Sequence, residues 1–550
     1  MEAQQTALKA MICGTGQETL RQGIGAWLEQ QGPIQVDDVS VVITHLKRRF
    51  ECVLKVYPTT WPQSHWGEQV NAWAQVWLEE ILNAQSPDIA QLWALLERSR
   101  IAFTALTTSL NLDSWREQVG EQLKAAFKNT FSLLTQGPPP PDSPWPPFVT
   151  WLKALDELIP VPPSIAECQA RLAAKSGALV QPFFDPVQAR LRVLWLDQHG
   201  LSLRDLPDGC AEQDLWMRDR EDGVIAQWTR GLEQLRSTNA VRGDIVPIPD
   251  WASVITSEPL IRFAECLNEW ANGLAQLIVI FPAPLGQLPW EALAPLENRL
   301  VREVSVRHWL GSETVAAICD TWVFNDPSGE AQCMLKEGEW VAKQFNTGDV
   351  DQSGLSIFKA LQHLNQHRHL HLLTHGFFNR FDPMSRFLTL NDKAGYRWPL
   401  WTMGAIRTSA DLIVLSACES NLNGQDTAGL LTPIGIGPSL AAAGAKTVVG
   451  TLWPCDGVAA FCFSYYFYTI SANEPDLAWH QVAAKARRTL REMTTTDFER
   501  IAKNMGLRLE GKEMDECDMA ADYHNRMACV EENKPFEDYV YWAGFTVLGG

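Results

Sequence analysis

At 550 residues, 46% of them hydrophobic and 20% charged, the chain is too long for one hydrophobic core and has the make-up of an ordinary globular protein of about two to four domains. A formal net charge of −19 excludes a general nucleic-acid binder, which needs surplus Lys and Arg to neutralise phosphate. Twelve scattered cysteines without a CxxC pair read as reduced thiols, mostly small buried apolar side chains, and not as a disulfide framework. The opening "MEAQQTALKA" lacks the basic-then-apolar pattern of a secretory signal, and no apolar run reaches about 18 residues. A cytoplasmic protein without a membrane span is therefore expected.

In chain order, "VSVVITHLKRRFECVLKVYP" alternates like two strands around a basic turn at Lys47-Arg48-Arg49. Val70, Trp73, Trp77 and Ile81 recur three or four residues apart, as on one face of a helix. Ser86-Pro87 reads as an N-cap and first-turn proline opening a further helix, "SPDIAQLWALLERSR", because both residue types suit a helix entry. Residues 1–136 are thus expected to form a small α+β domain. The basic turn and the Trp stripe read as a solvated face and a core. The run "GPPPPDSPWPPF" within 137–148 can be neither helix nor central strand, since each proline removes a donor and fixes φ. It reads as a linker. The next region, 149–262, mixes helices with a hairpin in "LRVLWLDQHGLSLRDLP", and no repeat of about 34 residues suggests a tetratricopeptide array.

From about residue 260 the texture changes. Short β-branched runs ("QLIVIF", "VREVSV", "TWVF", "HLHLLTH", "DLIVLSAC", "KTVVGTLW", "YWAGFTVLG") alternate with helical spacing in "KEGEWVAKQF", "PIGIGPSLAAAGA" and "EPDLAWHQVAAKARRTLREM". Alternation of this kind implies a mainly parallel sheet covered on both faces, with a ligand crevice beyond the C-terminal strand ends. His375 and Cys418 stand at two such ends. A cysteine is a nucleophile as its thiolate, and a histidine brought alongside it takes the proton or pairs with the anion. Adjacent strands ending at one level would bring the two together. Gly376, without a side chain to block a carbonyl, is expected to offer its backbone N–H with that of Cys418 to a developing oxyanion.

The plainer readings stand beside this one: a histidine at a polar strand exit, and a cysteine that packs. A third uses His367, His369 and His371, which alternate on one strand face with His375 beyond them. No carboxylate or cysteine stands where it would complete a zinc pattern, so no metal is expected. Glu419 reads as a loop acid and not as a base.

Five pieces occur in order: "LIVIFPAPLGQLPWEAL", "LHLLTHGFF", "DLIVLSACESN", "LAAAGAKTVVGTLWPCDG" and "YWAGFTVLG". With them, residues 263–550 resemble a CHAT domain, of the caspase-like cysteine proteases that include separase. The 43 residues from His375 to Cys418 lie near the roughly 50 of caspase-type enzymes. The resemblance implies a caspase-like α/β/α sandwich in which His375 is the general acid/base and Cys418 the nucleophile, hydrolysing peptide bonds through a thioester without a cofactor. It also implies a sensor or adaptor ahead of the protease, in residues 1–136, a protein substrate and an activating or regulatory protein partner, in a prokaryotic defence or signalling system. Ser416, two residues before the nucleophile, should share its strand face and line the substrate pocket. Asp456 is expected at the mouth of the neighbouring strand, favouring a basic or long substrate side chain, or else serving as a loop cap. Cys455 stands where relatives often carry an aliphatic residue. The polar stretch 494–536 reads as an insertion near the site, a lid, autocleavage loop or partner surface, with a helix within Met514 to Met527. The alternative to a regulated endopeptidase is a catalytically silent caspase-like scaffold, and a metal-dependent hydrolase is a third reading.

Overall fold

The computed structural model describes residues 78–105 (except 80, 85 and 86), 163–216, 222–239, 251–312, 320–325, 332–352 (except 349), 360, 363–364, 366–377, 386–403 (except 392–395), 408–422, 435–505 and 533–550. The strands expected around Lys47-Arg48-Arg49, the positions Val70, Trp73 and Trp77, the cap Ser86 and the Pro-rich run 137–148 lie outside the described residues.

The strands are β1 (Gly177–Asp185), β2 (Arg190–Asp197), β3 (Gly200–Asp205), β4 (Gln276–Val279), β5 (Leu300–Arg302), β6 (Thr321–Asn325), β7 (His369–Leu373), β8 (Gly376–Phe377), β9 (Phe387–Asn391), β10 (Tyr396–Pro399), β11 (Leu412–Ser416), β12 (Val448–Thr451) and β13 (Phe545–Leu548). Ten of them form one sheet in the order β3-β2-β1-β4-β5-β13-β12-β11-β7-β6, and β10-β9-β8 form a second, small sheet. The large sheet has two parallel blocks. β1, β4, β5 and β13 run one way, while β12, β11, β7 and β6 run the other. The antiparallel pair β12–β13 is the seam between them. The fold is α/β, and the C-terminal ends of β6, β7, β11 and β12 therefore share one end of the sheet.

Ten helices are labelled: α1 (Ile89–Ala105), α2 (Ile165–Lys175), α3 (Val224–Asn239), α4 (Trp251–Ile255), α5 (Glu258–Trp270), α6 (Gln332–Gln344), α7 (Ile436–Ala442), α8 (Gly457–Asn473), α9 (Trp479–Glu492) and α10 (Thr495–Asn504). They cover both faces, and the period-2 alternation of the strands shows which residue meets which layer. Leu412 and Val414 face a core shared with Trp228, Trp251, Val341, Phe463 and Phe498. Ile413 and Leu415 face the opposite core, with Leu440 and Ala441 of α7. A third cluster joins Leu92, Trp93 and Leu96 of α1 to Leu172 of α2 and Leu179, Ile278 and Val301 of the sheet.

Three expectations meet the structure here. The hairpin is present, with β2 and β3 paired antiparallel from Asp197↔Gly200 across the Gln198-His199 loop. The boundary drawn at 262/263 is not a break in the sheet, because β1 of the preceding region pairs in parallel with β4, Gly177↔Gln276 to Val180↔Val279. The helix opened at Ser86-Pro87 begins at Ile89 instead. Asp88 accepts from Ala90 N (3.0 Å) and Gln91 N (3.1 Å), since its short carboxylate reaches the first free amides of the helix.

The stretch 494–536 needs a partial correction. Its first turns are α10, capped reciprocally by Thr494 and Asp497, with Phe498, Ile501 and Ala502 buried. Spacing of three and four residues puts these on one apolar face, so this part belongs to the core. Residues 506–532, with the helix expected in Met514 to Met527, lie outside the described residues. Among the described residues no helix is long and apolar enough to cross a membrane.

Candidate active site

β7 and β11 are adjacent, parallel and in register, Leu412↔His369 through Ser416↔Leu373, and the ladder runs one step further as Thr374 N donates to Ser416 O (3.2 Å). His375 lies two residues past Leu373 and Cys418 two past Ser416. Both follow from the same end of neighbouring strands, which lie about 4.8 Å apart. Leu373 and Val414 face the same core, and His375 and Cys418 follow just beyond the two strand ends.

Gly376 shows how closely the two exits meet. A Cβ built there would lie 2.1 Å from the carbonyl oxygen of Cys418, a distance no methyl group tolerates. Only glycine lets the chain after the histidine pass against the backbone of the cysteine. Gly376 also opens β8, which pairs with β9 as Gly376↔Leu388 and Phe377↔Phe387. Thr389 N donates to His375 O (3.0 Å), and His375 N donates to the Thr389 hydroxyl oxygen (3.2 Å). Thr374 buttresses the exit through its hydroxyl, 2.9 Å from that of Thr389.

The turn after Cys418 is built from buried polar residues. Glu419 adopts φ 55°, a left-handed conformation uncommon outside glycine, and Glu419, Ser420 and Asn421 are all buried. Ser420 Oγ accepts from Thr451 N (3.0 Å), Asn421 N donates to Thr451 O (2.8 Å) and Gly437 N to Ser420 O (2.7 Å). The Glu419 carboxylate, expected as a loop acid, is paired with the Arg236 guanidinium of α3, whose Nε lies 2.7 Å from its Oε1. Burial pushes the Glu419 carboxyl above the usual range, against the pull of Arg236 and Arg386.

Cys418 is half-buried, His375 exposed. Burial pushes the Cys418 thiol up to about 11; the backbone N–H of Cys455 works against this and the Glu419 charge adds to it. At neutral pH the sulfur is thus a thiol. Burial also raises the Cys455 thiol well above its ordinary range, with the Cys418 sulfur as a further contributor.

Ser416 is half-buried, and its Oγ donates to Glu337 Oε2 of α6 (3.2 Å). Glu337 also takes the Ser464 hydroxyl (2.6 Å) and lies 3.1 Å from His371 Nε2. His371 Nδ1 is 2.8 Å from the Tyr468 hydroxyl, which is 3.0 Å from His369 Nε2, and His369 Nδ1 is 2.8 Å from Thr321 Oγ1. Read outward from an acceptor-only carboxylate, one polarity satisfies the row: Thr321, His369, Tyr468 and His371 each donate once toward Glu337. Burial holds His369 well below its ordinary value, with His371 beside it. These ring nitrogens are committed to hydrogen bonds, while His367 sits apart against Asp320 (3.0 Å). Among the described residues no three His, Cys, Asp or Glu side chains are grouped to hold a metal ion.

Asp456 is the N-cap of α8, its Oδ1 accepting from Ala459 N (2.9 Å). Of the two roles considered for it, the cap is the one the geometry displays. Sequence reasoning missed Arg236, Glu337 and Tyr468. Arg236 lies in an ordinary amphipathic helix 183 residues from its partner, and no local pattern marks it. Glu337 is one acid among several in "KEGEWVAKQF".

The CHAT domain family model matches residues 258–550, more than half of the chain. The chain belongs to the CHAT domain family. No curated protein sequence matches it. Among solved structures, the CHAT chain is similar to the Saccharomyces cerevisiae separase–securin complex, with 10% identity and a TM-score of 0.41, covering 84% of this chain but 37% of that one. A second structure of that complex gives 9% and 0.39. The Arg-specific cysteine proteinase gingipain R gives 11% identity and a TM-score of 0.29, over 59% of this chain and 73% of that one. The CHAT chain thus spans well under half the length of the separase chain, and likenesses this weak carry no weight for its chemistry.

Proposed function

We propose that the protein is a regulated cysteine endopeptidase whose nucleophile is Cys418 and whose general acid/base is His375. The observation that carries this reading is the contact of the two strand exits, where Gly376 lies against the carbonyl of Cys418. Because the resting sulfur holds its proton, the imidazole of His375 acts first as a base. It takes the thiol proton as the sulfur attacks the scissile carbonyl. The tetrahedral oxyanion is met by the backbone N–H groups of Gly376 and Cys418. On collapse, His375 returns the proton to the leaving amine and a thioester forms. A water activated by the same imidazole then releases the acid and the free thiol. No cofactor enters this scheme.

The substrate is a protein, and the cleavage-site pocket is bounded by Ser416 and Asp456. Asp456→Asn keeps a side-chain oxygen for the α8 cap and removes only charge. A shift of preference away from basic residues supports the assignment, and an unchanged profile rejects it. Kinship with CHAT proteins supports activation by a protein partner in a prokaryotic defence or signalling setting, in the cytoplasm.

The dyad is tested by mass spectrometry of new peptide termini after co-expression with candidate partner proteins. Cys418→Ala and His375→Ala should each lower cleavage by about a thousandfold or more while circular dichroism stays unchanged. Termini that persist undiminished in Cys418→Ala would reject the dyad and leave a scaffold role for the domain.

A further inference from the structure

The segment preceding the family match reaches the nucleophile by two routes. Arg236, on α3, pairs with the carboxylate of Glu419, the residue directly after Cys418. The second route is aromatic. Trp228 of α3 stacks on Trp251 of α4 with ring centroids 4.5 Å apart, and both rings meet the edge of Trp453, at 5.4 and 4.5 Å. Trp453 follows β12, its indole N–H donates to Val540 O (2.9 Å), and its carbonyl accepts from Glu419 N (3.4 Å). Backbone and side chain of Glu419 are thus both held by groups that α3 and α4 fix in place. Glu419 is also the residue at φ 55°, a conformation that persists in a non-glycine only where surroundings impose it.

We propose that Arg236 is a positioning residue for the Cys418 turn, and that the docking of α3 and α4 is the contact through which the part of the chain ahead of the CHAT domain sets the nucleophile's geometry. The inference rests on the proposed role of Cys418. A partner that shifts α3 releases Glu419, and the turn carrying the sulfur relaxes with it. Among the described residues, the charged and titratable groups around this point are Arg236 and Arg386 beside Glu419, Cys455 beside Cys418, and His375 as the proposed partner of the sulfur.

The test uses the full chain and the rate at which iodoacetamide alkylates Cys418 across pH, followed on the Cys418 peptide by mass spectrometry. Arg236→Ala should free the turn, expose the sulfur and raise the rate at pH 8 by about tenfold, with the alkylation midpoint moving below that of the parent. Arg236→Lys, which keeps the charge, should stay within about threefold of the parent. Trp228→Phe, which thins the aromatic contact and leaves the ion pair, should move the rate in the direction of Arg236→Ala. If Arg236→Ala fails to fold, Arg236→Gln and Trp228→Phe take its place. Identical rates and midpoints in the folded variants and the parent would overturn the proposal. Alkylation reports on the sulfur whether or not the chain cuts peptides, so this failure is distinct from persistent cleavage by Cys418→Ala.

Discussion

Gly376 has no room for a methyl group. With the carbonyl oxygen of Cys418 2.1 Å from where a Cβ would stand, Gly376→Ala must push the histidine exit off the cysteine exit. Cleavage in that variant should fall by about a hundredfold or more, as misplacement near 1 Å does in positioned catalysis. The Cys418 sulfur should remain alkylatable, and unaltered turnover would contradict the packing. The resting thiol makes a second point at this scale. Since burial lifts Cys418 to about 11, its alkylation in the free protein should climb through pH 8 to 10 without a plateau near neutrality. A plateau below pH 7 would indicate a preformed thiolate–imidazolium pair instead. As candidates, His375, Gly376 and Cys418 stand out in the sequence because each breaks a strand pattern with a residue that packing does not ask for. Glu419 was visible, but its partner Arg236 was not: an ion pair between distant segments leaves no trace in the local spacing of either.

The elements beneath the site carry a buried polar row from Thr321 to Glu337. Glu337 is 1% exposed and takes hydrogen bonds from two serines alongside His371. Glu337→Ala strands those donors without water, at a cost of about 3 kcal/mol or more, read as a lower midpoint in urea. Glu337→Gln, which retains an acceptor, should lose less. On α9, His480 donates from Nδ1 to Gly550 O (2.9 Å), and burial lowers it from an ordinary 6.5 to about 4 despite that bond. A histidine depressed in the fold binds its proton in the unfolded chain first. Its stabilising share is therefore complete above pH 6.5 and is lost as pH falls toward 4, amounting to about 3 kcal/mol at most. His480→Gln should flatten the stability–pH curve in that window, and an unchanged slope would refute the assignment. At this scale the large-sheet strands from 276 onward were readable because buried strands are short β-branched runs, whereas β8, β9 and β10 of the small antiparallel sheet were not. α10 was not, because its three buried side chains are diluted by Thr, Asp, Glu, Arg and Lys on the other face.

At the scale of the molecule, the sheet is larger than the segment that carries the family signature. β1 to β3 extend it beyond β4, and Trp228 and Trp251 lie in the same core as Trp453. A fragment beginning at residue 258 would open the β4 edge and remove one wall of that core, leaving an unpaired strand prone to association. It should aggregate or lack a cooperative urea transition, while the full chain should keep one. A stable monomer from 258 would show the added strands to be dispensable. Composition suggested several domains because it reports only how much can be buried. It is silent on whether neighbouring regions share a sheet, since a hairpin at 190–205 reads the same whether free-standing or joined edge-on to β4.

The seam between the two parallel blocks has a consequence for biosynthesis. β13, residues 545–548, is the middle plank of the sheet, with β5 on one flank and β12 on the other. A ribosome that has delivered the histidine and cysteine strands has still not delivered the plank that ties their half to the rest. Until it does, the two parallel blocks lack the strand that pairs them into one sheet.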